Sequence, residues 1–228
     1  AGFYQNGSVT DMKGFFRFTR SVRNIWARVL LRWWTGLRVS FFDHRIDELR
    51  WPQNIFWVER GALGRLYMKR GAKVLDLCCG DGYYSDVFWS CTAGHIDAVD
   101  RNDKALALAK SVHARPNISY HRADIVQDPL PGGGYDVVCF FEAIEHLSAD
   151  NAAAVLNRIK AVLSTGGVVV GSTTLVDAGE ERAHNPEHDH EFHTGEELRD
   201  FLSPVFNSVD VTESWHPERR TAYFVCKA

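Results

Sequence analysis

The sequence predicts an α/β protein built on a doubly wound, seven-stranded sheet, mostly parallel with an antiparallel C-terminal hairpin, and preceded by an N-terminal helical extension. Three observations predict it. From residue 71 onward, short apolar runs alternate with stretches of helical period, the pattern of βαβ units whose sheet is covered on both faces. The first of those runs ends in a glycine loop, Gly80-Asp81-Gly82, at a strand-to-helix junction. The chain closes on two strand-like segments around His216-Pro217-Glu218. Composition agrees: 228 residues, 45% hydrophobic and 24% charged, suit one globular domain with an appendage and exclude a disordered or collagen-like chain.

The elements follow in order. Residues 1–70 read as the extension or lid, and 71–228 as the main domain. Within the extension, a basic amphipathic helix is expected over about 12–38. Seven basic residues (Lys13, Arg17, Arg20, Arg23, Arg28, Arg32, Arg38) and no acidic one lie between Met12 and Phe42. At the helical period, Phe15, Phe18, Val22, Ile25, Trp26, Val29, Trp33 and Leu37 share one side, opposite Lys13, Arg17, Arg20, Arg28 and Arg32. Three fates suit such a helix: packing on the main domain or over its cleft, lying on an anionic membrane, or contacting nucleic acid. Residues 43–70 read as a connector of short helical pieces, broken at Trp51-Pro52 and punctuated by Gly61, Gly64 and Gly71.

The regular part then begins. Strands are expected at 73–79, 95–100, 117–124, 135–141 and 166–174. Helices are expected over 81–92, from Asp103 to His113 with Asn102 or Asp103 as cap, from Ala149 to Leu163, and from Thr194 to Leu202. Segments 205–215 and 219–228 supply the final hairpin.

The chemistry gathers at the strand ends. Asp100 stands twenty residues after Gly80 at the end of the second strand, placed to accept hydrogen bonds from both hydroxyls of a ribose. An adenosine-containing ligand follows. A dinucleotide is disfavoured, because Ser85 replaces the third glycine of the phosphate-binding fingerprint and Asp76 and Asp81 would repel a pyrophosphate. Carboxylates at a strand end suit a cationic ligand instead, and S-adenosylmethionine carries a sulfonium and an ammonium but no phosphate.

These residues carry a family resemblance. VLDLCCGDG, the acidic Asp100, Ala123-Asp124-Ile125 after the third strand and YDVVCFFEAIEHL after the fourth resemble, in order and spacing, the class I S-adenosylmethionine-dependent methyltransferases, over about residues 70–228. Cys78 departs from the family's loop, where a glycine is usual. The resemblance implies a Rossmann-like fold and S-adenosylmethionine as cofactor. It implies that Asp76, Gly80, Asp81 and Gly82 hold the methionine moiety, Asp100 and Arg101 the ribose side, Asp124 and Ile125 the adenine, and that Phe141 or Glu142 closes the methionine side of the pocket.

Glu142, Glu145 and His146 are spaced i, i+3 and i+4, on one face of a helical turn after the fourth strand, and are the catalytic candidates. With a later histidine, two carboxylates and two imidazoles suit a divalent cation. The E-x-x-E-H turn looks like that of the small-RNA 2′-O-methyltransferases and of the ubiquinone-biosynthesis O-methyltransferases. The match places His190, in Asp189-His190-Glu191-Phe192, beside Glu142, Glu145 and His146 as ligands of a divalent cation, Mg²⁺, Mn²⁺ or Zn²⁺. The metal-free alternative makes His146 a general base. His184 and His188 read as solvated loop residues.

The expected activity is methyl transfer to an oxygen, or a nitrogen, of a small-molecule, sugar or lipid-linked acceptor. RNA 2′-O-methylation is the alternative enzyme and a non-catalytic adenosyl-ligand scaffold the alternative of another class. A net charge of −3 gives no global pull toward nucleic acid. An odd set of five cysteines, expected buried and reduced, the lack of a long apolar run and the lack of a leader pattern fit a cytoplasmic protein, with membrane contact only at its periphery.

Overall fold

The computed structural model describes Val22, Ile25, Trp26, Val29, Leu30, Asp43, His44 and residues 55–177, 187–216 and 219–228. Most of the expected basic helix, His184 and the tip of the final turn lie outside the described residues. Val22, Ile25, Trp26, Val29 and Leu30 are helical.

Seven strands form one sheet in the order β3-β2-β1-β4-β5-β7-β6. They are β1 (Lys73–Leu77), β2 (His95–Asp100), β3 (Ile118–Arg122), β4 (Tyr135–Phe141), β5 (Leu163–Leu175), β6 (Ser208–His216) and β7 (Arg219–Lys227). The first five run parallel, and β7 enters antiparallel between β5 and β6. The register pairs Asp76 with Ala98 on one side and with Cys139 on the other, so the ends of β1, β2 and β4 converge on one crevice. The strand order reverses beside β1, the position at which open parallel sheets bind ligands.

Helices are α1 (Ile55–Leu66), α2 (Asp103–Val112), α3 (Ala149–Val162) and α4 (Gly195–Leu202). Their caps are legible in the sequence. Asn102 Oδ1 accepts from the backbone N–H of Lys104 and Ala105, Ser148 Oγ from Asn151, and Thr194 Oγ1 from Glu197. Alternate residues of the central strands feed two cores. Leu75, Leu77, Val138 and Phe140 pack with Leu156 and Ile159 of α3 and Leu198 and Leu202 of α4. Val74, Val137 and Cys139 pack on the other face with Met68, Trp89 and Leu106.

Two expectations need correction. The connector is not a set of short pieces from residue 55 onward, because Gly61 and Gly64 sit inside the single twelve-residue helix α1. A Cβ at Gly61 would lie 2.4 Å from the Phe88 ring, and one at Gly64 would lie 2.7 Å from the Trp89 indole. The glycines let α1 approach those rings, and the Gly61 carbonyl accepts from Trp89 Nε1 at 3.0 Å. The helix expected over 81–92 is present but shorter, over residues 83–89, and widens to a π-helix at Ser85–Trp89, closed by a bond from Ser90 N–H to Ser85 O. Cys79, Cys139 and Cys226 are buried as expected, whereas Cys78 and Cys91 are exposed; all five are free thiols.

Candidate active site

The glycine loop is held open by its backbone. Cys78, Gly80 and Gly82 all have positive φ (59°, 56° and 76°), the left-handed region that glycine enters without strain. Gly82 is doubly constrained, since a Cβ there would meet the Tyr120 hydroxyl at 2.3 Å. The loop is tied to β2 by Asp100, which accepts from Gly80 N–H at 2.9 Å through one oxygen and from Asn102 N–H at 2.7 Å through the other. Both oxygens keep a second acceptor position, so Asp100 is fixed in place and still able to take two hydroxyls. Arg101 beside it is exposed.

Asp76 lies beneath the loop, 5% exposed, and accepts from Ser85 Oγ at 2.6 Å. Burial pushes its carboxyl up to about 7. The Ser85 bond opposes that shift, and the Asp100 and Asp81 charges add to it. A buried carboxylate short of positive charge, at the floor of the crevice, is a receptor for a cation. Ser85, which replaces the third glycine, is therefore the residue that orients Asp76. Asp124 caps its own turn by accepting from Val126 N–H at 2.9 Å, and Ile125 is buried beside it. Phe141 stacks on Trp89 at a centroid separation of 6.0 Å.

Asp81 has a different task from the one its motif implies. It is buried, and its carboxylate accepts from His44 N–H at 2.7 Å, from Tyr83 N–H at 3.2 Å and contacts His44 Nδ1 at 2.8 Å. His44, whose ring also packs on Trp57 and Tyr83, thereby fastens the N-terminal segment to the glycine loop.

The E-x-x-E-H turn also departs from its expected shape. Glu142 has φ +48°, so the chain reverses there before the short turn Ile144–His146, and the two carboxylates point apart. Glu142 accepts from Ser172 Oγ at 2.7 Å and Thr174 Oγ1 at 3.0 Å, and pairs with Arg60 at 3.0 Å and with Arg219. Glu145 is 1% exposed, receives Thr173 Oγ1 at 3.0 Å, and is pushed by burial up to about 7.

His146 contacts the Glu187 carbonyl through Nδ1 at 3.1 Å, and burial lowers its pKa. Its ring meets that of His188 edge-on at 4.9 Å, and His188 Nδ1 lies 2.8 Å from Glu191 Oε1. One potential ligand atom from each of Glu145, His146 and His188 falls within 4.8 Å of the others. His190 does not join them. Its ring packs on Phe192 and Phe201, and its buried Nδ1 has no hydrogen-bond partner among the described residues. Of the four expected ligands, Glu145 and His146 thus come together, joined by His188, while Glu142 and His190 lie outside that group.

The sequence of residues 74–167 matches the family model described as a methyltransferase domain. Residues 74–167 are thus a methyltransferase domain. A probable S-adenosylmethionine-dependent methyltransferase of Mycobacterium tuberculosis is 29% identical over 148 residues, covering 64% of this chain and 53% of that protein. A ubiquinone biosynthesis O-methyltransferase of Azotobacter vinelandii is 30% identical over 148 residues, covering 62% and 57%. The chain thus spans about half the length of the curated relatives it matches. Among solved structures, the N-methyltransferase NodS of Bradyrhizobium japonicum, in complex with S-adenosyl-L-homocysteine, superposes with a TM-score of 0.63 at 15% identity, covering 82% of this chain and 92% of that one.

Three features of this methyltransferase domain escaped the sequence. His44 lies 37 residues from Asp81, with no motif to join them. Arg60 and Arg219 reach Glu142 from α1 and β7, again with no motif to join them. His188 was indistinguishable from its neighbours in a histidine-rich loop.

Proposed function

We propose that the chain transfers the methyl group of S-adenosylmethionine to a hydroxyl of a small, amphiphilic acceptor, with His146 as the general base. The observation that carries this reading is the pairing of a cation-seeking Asp76 with a ribose-ready Asp100 across one glycine loop. His146 supports an oxygen acceptor. Burial keeps its imidazole neutral at pH 7, and the Glu187 carbonyl fixes the proton on Nδ1, leaving Nε2 to take a proton from a hydroxyl. The base then needs only to sit near the acceptor oxygen, while the crevice aligns that oxygen with the sulfonium methyl. RNA methylation finds less support, because Glu142 and His190 are committed elsewhere and the chain is acidic overall.

A divalent cation is the second reading, favoured by the proximity of Glu145, His146 and His188. The site fits one: both imidazoles use Nδ1 for an orienting contact, which leaves each Nε2 for ligation. A bound cation would polarise the acceptor hydroxyl.

Calorimetric titration tests both. S-adenosylhomocysteine should bind the native chain and bind Asp100→Ala at least about tenfold more weakly, the cost of losing a charged hydrogen-bond pair; equal binding sinks the cofactor assignment. Mn²⁺ titrated into the saturated protein should bind stoichiometrically and be lost in His188→Ala but not in His190→Ala. Absence of binding in the native chain leaves His146 as a metal-free base.

A further inference from the structure

The described residues of the N-terminal helix present an apolar row to solvent. Val22, Ile25, Trp26, Val29 and Leu30 are all exposed, from 39% to 62%, although their i, i+3, i+4, i+7 and i+8 spacing is that of a face meant for burial. The expectation that this face packs on the main domain is not met at any of the five. An exposed row of this kind marks a contact with something outside the chain.

We infer that this face docks on an anionic lipid bilayer and holds the methyl-transfer crevice against the membrane surface. Charge complementarity selects the occupant. In the sequence, seven basic residues and no acidic one lie between Met12 and Phe42, and at the helical period Arg20 and Arg28 fall opposite the row while Arg23 flanks it. Acidic lipid headgroups attract such a segment, and long arginine stems reach headgroups while Trp26 and its neighbours enter the acyl boundary. A second copy of the chain fits less well, because it would bring two sets of arginines together. A stable dimer also needs about 1,200 Å² of buried surface or more, beyond what one row of five side chains presents.

The connection to the crevice is short. Twelve residues lie between Leu30 and Asp43, so the end of the row can stand at most about 45 Å from Asp43, next to the His44 that grips the glycine loop through Asp81. A helix lying in the interface plane would therefore keep the crevice within reach of molecules dissolved in that membrane. The inference concerns binding to lipid and stands whether or not the acceptor is a lipid.

The test uses the full chain with vesicles of phosphatidylcholine alone and of phosphatidylcholine mixed with phosphatidylglycerol. Co-sedimentation should rise at least about tenfold with the anionic lipid and fall again as salt is added. The double variant Trp26→Glu, Val29→Asp should lose that binding while keeping native affinity for S-adenosylhomocysteine, which shows that the domain is folded. Arg23→Glu, Arg28→Glu should lose the preference for the anionic vesicles. Absence of binding, equal binding to both vesicles, or full binding by Trp26→Glu, Val29→Asp overturns the inference. So does a dimer, seen by light scattering without lipid, that dissociates in that variant.

Discussion

At the scale of single residues, the decisive group is Asp76. It is buried, raised to about 7 by that burial, and crowded by Asp81 and Asp100, so near pH 7 it is about half protonated. A ligand ammonium placed beside it favours the ionised form and expels the proton. Binding of S-adenosylhomocysteine at pH 7 should then release on the order of half a proton. Calorimetry in buffers of different ionisation enthalpy measures this directly: the apparent heat should vary with buffer in the native chain and hardly at all in Asp76→Asn. Buffer-independent heats in both would place the ammonium elsewhere. Glu145, also raised by burial to about 7, carries a second pH dependence. Its folded form holds a proton more tightly than the unfolded chain does, so its contribution to stability is present below about pH 4 and is lost as pH rises through about 7. Thermal melts between pH 5 and 8 should therefore decline less steeply in Glu145→Gln than in the native chain.

At the scale of elements, the strands were legible because each central one is an apolar run buried on both faces, and the residues that cap the helices are of the types that cap helices anywhere. The second and fourth strands match expectation residue for residue. Helix α1 was not legible, since glycine breaks a helix by local propensity and serves it only where a partner demands close approach. Gly64 makes the point testable. Alanine there gains up to about 1 kcal/mol of helix propensity but places a methyl 2.7 Å from the Trp89 indole, in a packed interior where overpacking costs about 1–3 kcal/mol. The packing term should win, so urea unfolding of Gly64→Ala should show a lower midpoint with an unchanged slope. A raised midpoint would mean that α1 shifts freely on the sheet. The candidate site was legible where one strand end carries the chemistry, as at Asp76 and Asp100, and illegible where a left-handed residue redirects the chain. The i, i+3, i+4 spacing of Glu142, Glu145 and His146 assumes one continuous helical turn, and φ +48° at Glu142 cancels that assumption.

At the scale of the whole molecule, that redirected carboxylate is what joins the layers. Glu142 receives Arg60 from α1, Arg219 from the start of β7 and the hydroxyls of Ser172 and Thr174 on β5, with the guanidinium of Arg60 also over the Trp57 ring at 5.1 Å. The side chains involved are largely buried: Arg60 is 7% exposed and Glu142 16%. Four parts of the chain separated by up to 159 residues, from Arg60 to Arg219, thus meet at one charge at the lip of the crevice. Removing the carboxylate takes the counter-charge from the buried Arg60 guanidinium, and breaking a buried pair in this way costs about 3–5 kcal/mol. Glu142→Ala should lose stability of that order, measured by chemical denaturation. Glu142→Gln keeps an acceptor for the two hydroxyls and one guanidinium and should lose less. Since the contacts of Glu142 run to Arg60, Arg219, Ser172 and Thr174, the glutamine variant should bind S-adenosylhomocysteine within about threefold of the native chain, less than 1 kcal/mol. If instead the glutamine variant is as stable as the native chain but no longer binds, the charge of Glu142 serves the cofactor, and the arginines accompany it as ligands of the acceptor.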